Sequence, residues 1–181
     1  MADGVFEVQV VTPEQQLLDV PAKVLVLRSS DGDLTILEGH TPLITDVVPG
    51  DVRVEPEEGE PVHLAVHGGY LQVETGTDLD GTGGGADGGA SGASDRTTRA
   101  TLLAGVAELS DQIDVPRAEE AKARAEARVE ELKAAGRSSG SGSAAASGEG
   151  EAPSQEDLEL AAAEAALRRA EVRLEVAGAT S

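Results

Sequence analysis

The chain predicts an α+β molecule in segregated parts: an N-terminal antiparallel β-sandwich followed by a C-terminal α-helical hairpin. Short apolar runs, several with period-two alternation, recur between residues 5 and 74, and after Asp114 the apolar residues step by three or four instead. Two Gly-rich stretches without periodicity interrupt the pattern. The 181 residues suit one domain, or a small domain with an appendage.

In order along the chain, Phe6, Val8 and Val10 alternate with Glu7 and Gln9, the signature of a half-buried strand. Lys23 to Leu27 reads as a short apolar strand, and Ser29-Ser30-Asp31-Gly32-Asp33 as the turn after it. Leu34 to Leu37 makes another strand. Ile44 to Val48 and Val52 to Glu55 flank Pro49-Gly50-Asp51, a hairpin signal. Val62, Leu64 and Val66 alternate with His63, Ala65 and His67, and after Gly68-Gly69 comes the strand Tyr70 to Glu74. Strands this short at this spacing argue for a sandwich or flattened barrel. An antiparallel partner for the last strand appears only at Thr101 to Ala104, so residues 76–98 read as a Gly-rich, flexible insertion in a hairpin. Such insertions cost little, because loop-closure entropy rises slowly with length.

Asp114 is placed to cap a helix starting near Val115-Pro116, where proline's missing N–H is not needed. Ala118, Ala121, Ala125, Val129 and Leu132 form its apolar stripe, and Glu120 with Arg124 a surface pair four residues apart. Leu160, Ala163, Leu167, Ala170 and Leu174 repeat the stepping, so the two helices predict an antiparallel hairpin. Residues 136–154 read as a Gly/Ser-rich linker between them, since such a chain cannot offset its ordering entropy by burial. The organisation expected is a sandwich domain over 1–110 and the hairpin over 111–181. The stripes are narrow, so the hairpin is expected to be marginally stable and mobile.

Composition excludes several functions. Acidic residues number 34 against 14 basic, a formal net charge of −20, which repels nucleic acid and anionic lipid headgroups. One Phe, one Tyr and no Trp leave no stacking platform for single-stranded bases. With no cysteine there is no disulfide, thiolate nucleophile or Cys-ligated metal. Met1-Ala2-Asp3-Gly4 lacks the basic region and apolar run of a secretory signal, and no stretch reaches bilayer-spanning length. A soluble, cytoplasmic protein without direct membrane insertion is expected. His63 and His67 share a strand face but lack a third ligand, and so read as half-exposed strand positions rather than a zinc site. The Gly-rich segment lacks the Lys-Ser/Thr of a phosphate loop, and no Ser/His/Asp set has an interpretable context.

Five ordered segments carry a family resemblance. Val10 to Gln16 (VVTPEQQ) leads into Gly32-Asp33-Leu34-Thr35-Ile36-Leu37-Glu38-Gly39-His40-Thr41-Pro42-Leu43. Then follow Gly68-Gly69-Tyr70-Leu71-Gln72-Val73 and Ile113-Asp114-Val115-Pro116-Arg117-Ala118, with Arg169 to Leu174 (RAEVRL) late in the chain. The chain resembles the epsilon subunit of the F-type ATP synthase from residue 5 to 177, departing from it with Thr35 where the family usually has Gly and Glu38 where it commonly has Pro.

That resemblance implies a non-catalytic subunit of the rotor, coupling proton flow through the c-ring to ATP synthesis. The partners it implies are the gamma subunit, the c-ring, and the alpha and beta subunits when the hairpin extends and restrains hydrolysis. The location it implies is peripheral, on the cytoplasmic side of the plasma membrane. It places the c-ring contact at Asp31, Asp33 and His40. It implies no required cofactor, but a regulatory ATP held by Glu108, Ile113, Asp114, Arg117, Ala118, Arg169 and Arg173. The chemistry is coherent: Arg169 and Arg173 lie one helical turn apart and suit phosphate oxygens, and the helix start near Asp114 offers N–H groups. The rival reading is a free-standing nucleotide-sensing or scaffold protein built on the same sandwich.

Overall fold

A computed structural model describes residues 4–76, 97–139 and 154–179. Strand β1 is Phe6–Val11, β2 Gln16–Ser29, β3 Gly32–Ile36, β4 Leu43–Val47 and β5 Gly50–Pro56. They are followed by β6 Val62–Val66, β7 Gly69–Gly76, β8 Thr97–Ala104 and β9 Ala107–Leu109. A short 3-10 turn, Ser110–Gln112, leads to helix α1 (Val115–Ser139), and α2 spans Gln155–Ala179. The segregated sandwich-then-hairpin architecture is the one the periodicities predict.

The hydrogen-bonded order is β4-β7-β8-β1-β2-β5-β6-β9, with β3 also on β2. All pairings are antiparallel except β1 with β8, which is parallel. The second strand is longer than the apolar run 23–27 suggests. Its first half, Gln16 to Ala22, pairs with β1, and its second half pairs with β3 and β5. A register shift between Ala22 and Val24 lies where the two halves meet, and bulges of this kind bend a strand between layers. Alternating side chains then fill the interior: Phe6, Val8, Val10, Leu25, Leu27, Ile36, Val52, Val54, Leu64, Val66, Leu71, Val73 and Leu102.

Strand β8 pairs with β7 from Gly69↔Ala104 to Gly76↔Thr97, so the expected hairpin exists and its strands take in Gly76, Thr97 and Thr98 from the predicted insertion. The rest of that insertion, 77–96, lies outside the described residues. Helix α1 runs through Gly136 to Ser139, so the predicted linker starts later than 136; residues 140–153 of it lie outside the described residues. Ser154 closes a capping box at the start of α2: its hydroxyl accepts from the Asp157 N–H at 3.2 Å, while Asp157 Oδ2 accepts from the Ser154 N–H at 3.1 Å.

Helices α1 and α2 pack together, burying Ala118, Ala125, Val129, Ala163 and Ala170. The ion pairs Arg128–Glu159 (2.8 Å) and Lys133–Glu164 (3.0 Å) span the two helices. The expected Glu120–Arg124 charge pair is absent: Arg124 Nε donates to the Glu120 backbone carbonyl instead, at 3.2 Å. Helix α2 also buries Val172 and Val176, outside its predicted stripe, because a second face rests on the sandwich.

Candidate functional site

The junction of sandwich and hairpin gathers the chemistry. On β6, Ala65 alternates onto the outer face of its sheet, yet it is wholly buried because Val172, Val176 and Ile113 pack over it. The chain reaches this place through β9, which pairs with β6 so that Glu108 lies opposite Ala65. The 3-10 turn then delivers Ile113, and Asp114 Oδ1 accepts from the Arg117 N–H at 3.1 Å, capping α1 as the sequence predicts.

Over this apolar contact lies a charged one. Arg173 Nε of α2 donates to both carboxylate oxygens of Glu108, at 2.9 and 3.1 Å, and its Nη2 also donates to Oε1. Two-pronged guanidinium–carboxylate pairs are strong and directional. Hydrogen bonding from Arg173 holds the Glu108 carboxyl below its usual range against the opposing effect of burial, and Glu108 in turn raises the Arg173 guanidinium. Arg117 adds a further cationic influence on Glu108. His67, one residue beyond β6, anchors its N–H on the Val106 carbonyl at 3.0 Å. Its ring lies under the influence of Arg173, Glu108 and Arg169, and burial lowers its pKa.

The structure therefore brings Glu108, Ile113, Arg169 and Arg173 to one junction, with Asp114, Arg117 and Ala118 at the helix start beside it. Ala118 is buried, whereas Asp114, Arg117 and Arg169 are exposed. Glu108 already engages Arg173, so a phosphate oxygen on Arg173 would have to compete with that carboxylate.

The residues Asp31, Asp33 and His40 do not form one cluster. Asp33 Oδ1 pairs with Arg28 Nε at 2.9 Å across the β2–β3 turn, and the neighbouring Ser30 donates to Asp46 at the far end of β4. His40 follows the other end of β3, where Thr75 donates to its carbonyl at 2.8 Å and its ring Nδ1 lies 2.8 Å from the Thr41 carbonyl. Since β4 pairs with β7 from Leu43↔Val73 to Val47↔Gly69, these are opposite ends of the sheet.

Sequence reasoning took His67 for a half-exposed strand residue; it is half-exposed, one residue beyond β6, but its place at the junction was missed, as was the pair Val172 and Val176. A second apolar pair four residues apart on α2 was the available signal. His63 is separately engaged, its Nδ1 2.8 Å from Asp51 Oδ2. Among the described residues no group of three or more His, Cys, Asp or Glu is placed to hold a metal ion, and no helix is long and apolar enough to cross a membrane.

Comparison with known proteins places this architecture. A family model described as the beta-sandwich domain of the ATP synthase Delta/Epsilon chain matches residues 5–77. The ATP synthase epsilon chain of Symbiobacterium thermophilum is 34% identical over 180 residues, covering 99% of this chain and 96% of that one. That of Desulforudis audaxviator is 36% identical over 129 residues, covering 71% and 77%. A chain in the OSCP/F1/c-ring structure of Euglena gracilis mitochondrial ATP synthase shares the fold at TM-score 0.62 and 18% identity, over 99% of this chain and 86% of that chain. With matched motifs, sandwich and hairpin all in one order along the sequence, the chain belongs to the ATP synthase epsilon chains.

Proposed function

We propose that this epsilon subunit is a non-catalytic part of the central stalk, coupling proton flow through the c-ring to ATP synthesis, and that its hairpin is a releasable regulatory arm. The observation that carries the second half is the thinness of the junction. A patch of Ala65, Ile113, Val172 and Val176 and the Glu108–Arg173 pair join α2 to the sandwich. An apolar contact of this size with one half-exposed ion pair is small enough to exchange between docked and released states. Released, the arm extends toward the alpha and beta subunits and brakes hydrolysis.

The gamma subunit is the partner assigned to the outer face of β4, β7 and β8, opposite the hairpin side. Ile44 and Tyr70 are 73% and 62% exposed there, and Leu103 lies directly across from Tyr70. A lone exposed tyrosine flanked by aliphatic side chains suits an interface anchor. The acidic turn Asp31–Asp33 is the c-ring contact, pairing with basic side chains at a rim where each pair contributes about 1 kcal/mol or less; His40, at the other sheet end, cannot share that rim. The subunit sits peripherally on the cytoplasmic side of the membrane through these partners.

ATP is the regulatory ligand, held on Arg169 and Arg173 with Arg117, Asp114, Ile113, Ala118 and Glu108 around it. Three guanidinium groups with a helix start fit a polyphosphate. Binding the docked form stabilises it by mass action.

Affinity purification of the tagged native protein in mild detergent tests the assignment. Recovery of alpha, beta, gamma and c subunits with one copy of this chain is the expected result. A free monomer, under conditions that keep the synthase intact, would favour the free-standing nucleotide sensor. Arg173→Glu is expected to weaken ATP binding at least about tenfold by calorimetry; unchanged affinity removes the residue from the site.

A further inference from the structure

The ring of His67 is the least accounted-for group in the junction. Both its nitrogens, Nδ1 and Nε2, are sealed from solvent and have no hydrogen-bond partner among the described residues. A neutral imidazole tolerates such a place poorly, and an imidazolium, with two N–H donors and a full charge, far worse. The charged groups facing it reinforce this. From α2 come Arg173 and Arg169, both cationic; from β9 comes Glu108, whose carboxylate is already held on two oxygens by Arg173. Arg117, at the start of α1, acts on the same carboxylate. Among the described residues, the anion acting on the ring is thus committed to the contact that keeps α2 in place.

We propose that His67 is a proton-operated latch of the hairpin: protonating its imidazole, whose two nitrogens are shut off from solvent at the junction of sandwich and α2, drives α2 off the sandwich. Two routes lead there and both loosen the same contact. The imidazolium repels Arg173 and Arg169, and it competes with Arg173 for Glu108. Once α2 leaves, the ring is exposed to water and its charge costs nothing beyond ordinary hydration. The inference rests on the docked–released equilibrium proposed above and adds what sets it.

The direction follows from linkage. Burial, then the nearby Arg173, holds the ring's pKa in the docked form below its ordinary 6.5. Docking is therefore fully favoured above about 6.5 and weakens as pH falls from there toward the lowered docked value. Glu108 acts in a different window, since its carboxyl takes up protons only below its ordinary 4.5.

The chain has no cysteine, so label pairs are easily placed, for example at Glu60→Cys and Ala165→Cys, both on exposed positions. Distance distributions between the labels in the full chain report docked and released fractions. Between pH 7.5 and 5.5 the docked-to-released ratio is expected to fall at least about threefold, and His67→Gln to flatten that response. A ratio constant across this range, or an equal response in His67→Gln, overturns the proposal. Should His67→Gln fail to fold, the His67 ring resonances of the unsubstituted protein give the second reading: titration below 6.5 supports the latch, and titration at or above it refutes it. Arg173→Glu at pH 7.5 checks the equilibrium itself. If that variant releases the arm while the unsubstituted chain ignores pH, only the His67 latch fails; if it stays docked, the releasable-arm reading fails with it.

Discussion

Gly69 shows how tightly one residue is constrained. A Cβ built there would lie 2.2 Å from the Leu103 carbonyl oxygen, a backbone atom that cannot swing away. Gly68 before it has φ of 105°, so the pair both turns the chain and lets β7 approach β8. Gly69→Ala is expected to destabilise the sandwich by about 2 kcal/mol or more through strain, read as a lowered urea midpoint. Glu108 is the second informative residue. Because Arg173 lowers its carboxyl in the docked form, its contribution to docking is complete above 4.5 and lost as pH falls through the lowered value. Glu108→Gln keeps the shape but removes the charge, so the docked fraction should drop at neutral pH and the acid loss below 4.5 should vanish; the same label distances measure both.

Each helix face answers to a different neighbour. In α2 the residues Ala163 and Ala170 meet α1, while Val172 and Val176 meet Ala65 and Ile113 of the sandwich. Small residues allow close approach but bury little area, so the apolar contribution is modest and the ion pairs help decide the geometry. Val176 is fully buried, and a carboxylate placed there would lack any partner. Val176→Asp is expected to release α2 without unfolding the sandwich: helix-directed proteolysis should accelerate at least about tenfold while the sandwich's unfolding midpoint stays within experimental error. Loss of both together would mean that sandwich and hairpin fold as one unit.

Across the whole molecule, the sandwich carries an apolar core of its own, and the cluster under α2 is separate from it. Deleting residues 115–181 should therefore leave a folded sandwich whose ΔG of unfolding falls by no more than about 2 kcal/mol, checked by chemical denaturation. The full chain's charge of −20 attracts a basic partner, and salt screens that attraction. Association with a basic c-ring loop through Asp31 and Asp33 should accordingly weaken as ionic strength rises, whereas association through Ile44, Tyr70 and Leu103 should not.

The sequence by itself determined the class, the order of the strands through β8 and of the two helices, and the α1 cap at Asp114, because each depends on local periodicity or on contacts within a few residues. Its motif resemblance also named Glu108, Ile113, Arg169 and Arg173, which the fold brings to the junction. Only the tertiary structure decided how they meet. That β2 is one long strand serving both layers follows from pairings with β1, β3 and β5, which no local window contains. That Glu108 grips Arg173, 65 positions away, depends on β9 closing against β6 and α2 lying across it. His67 reads from sequence as one more alternating strand position; only the fold sets it under the influence of Arg173, Glu108 and Arg169 with both ring nitrogens out of solvent. The separation of His40 from Asp31 and Asp33 has the same origin: β3 lies between Asp31 and His40, and its extension carries its two ends apart.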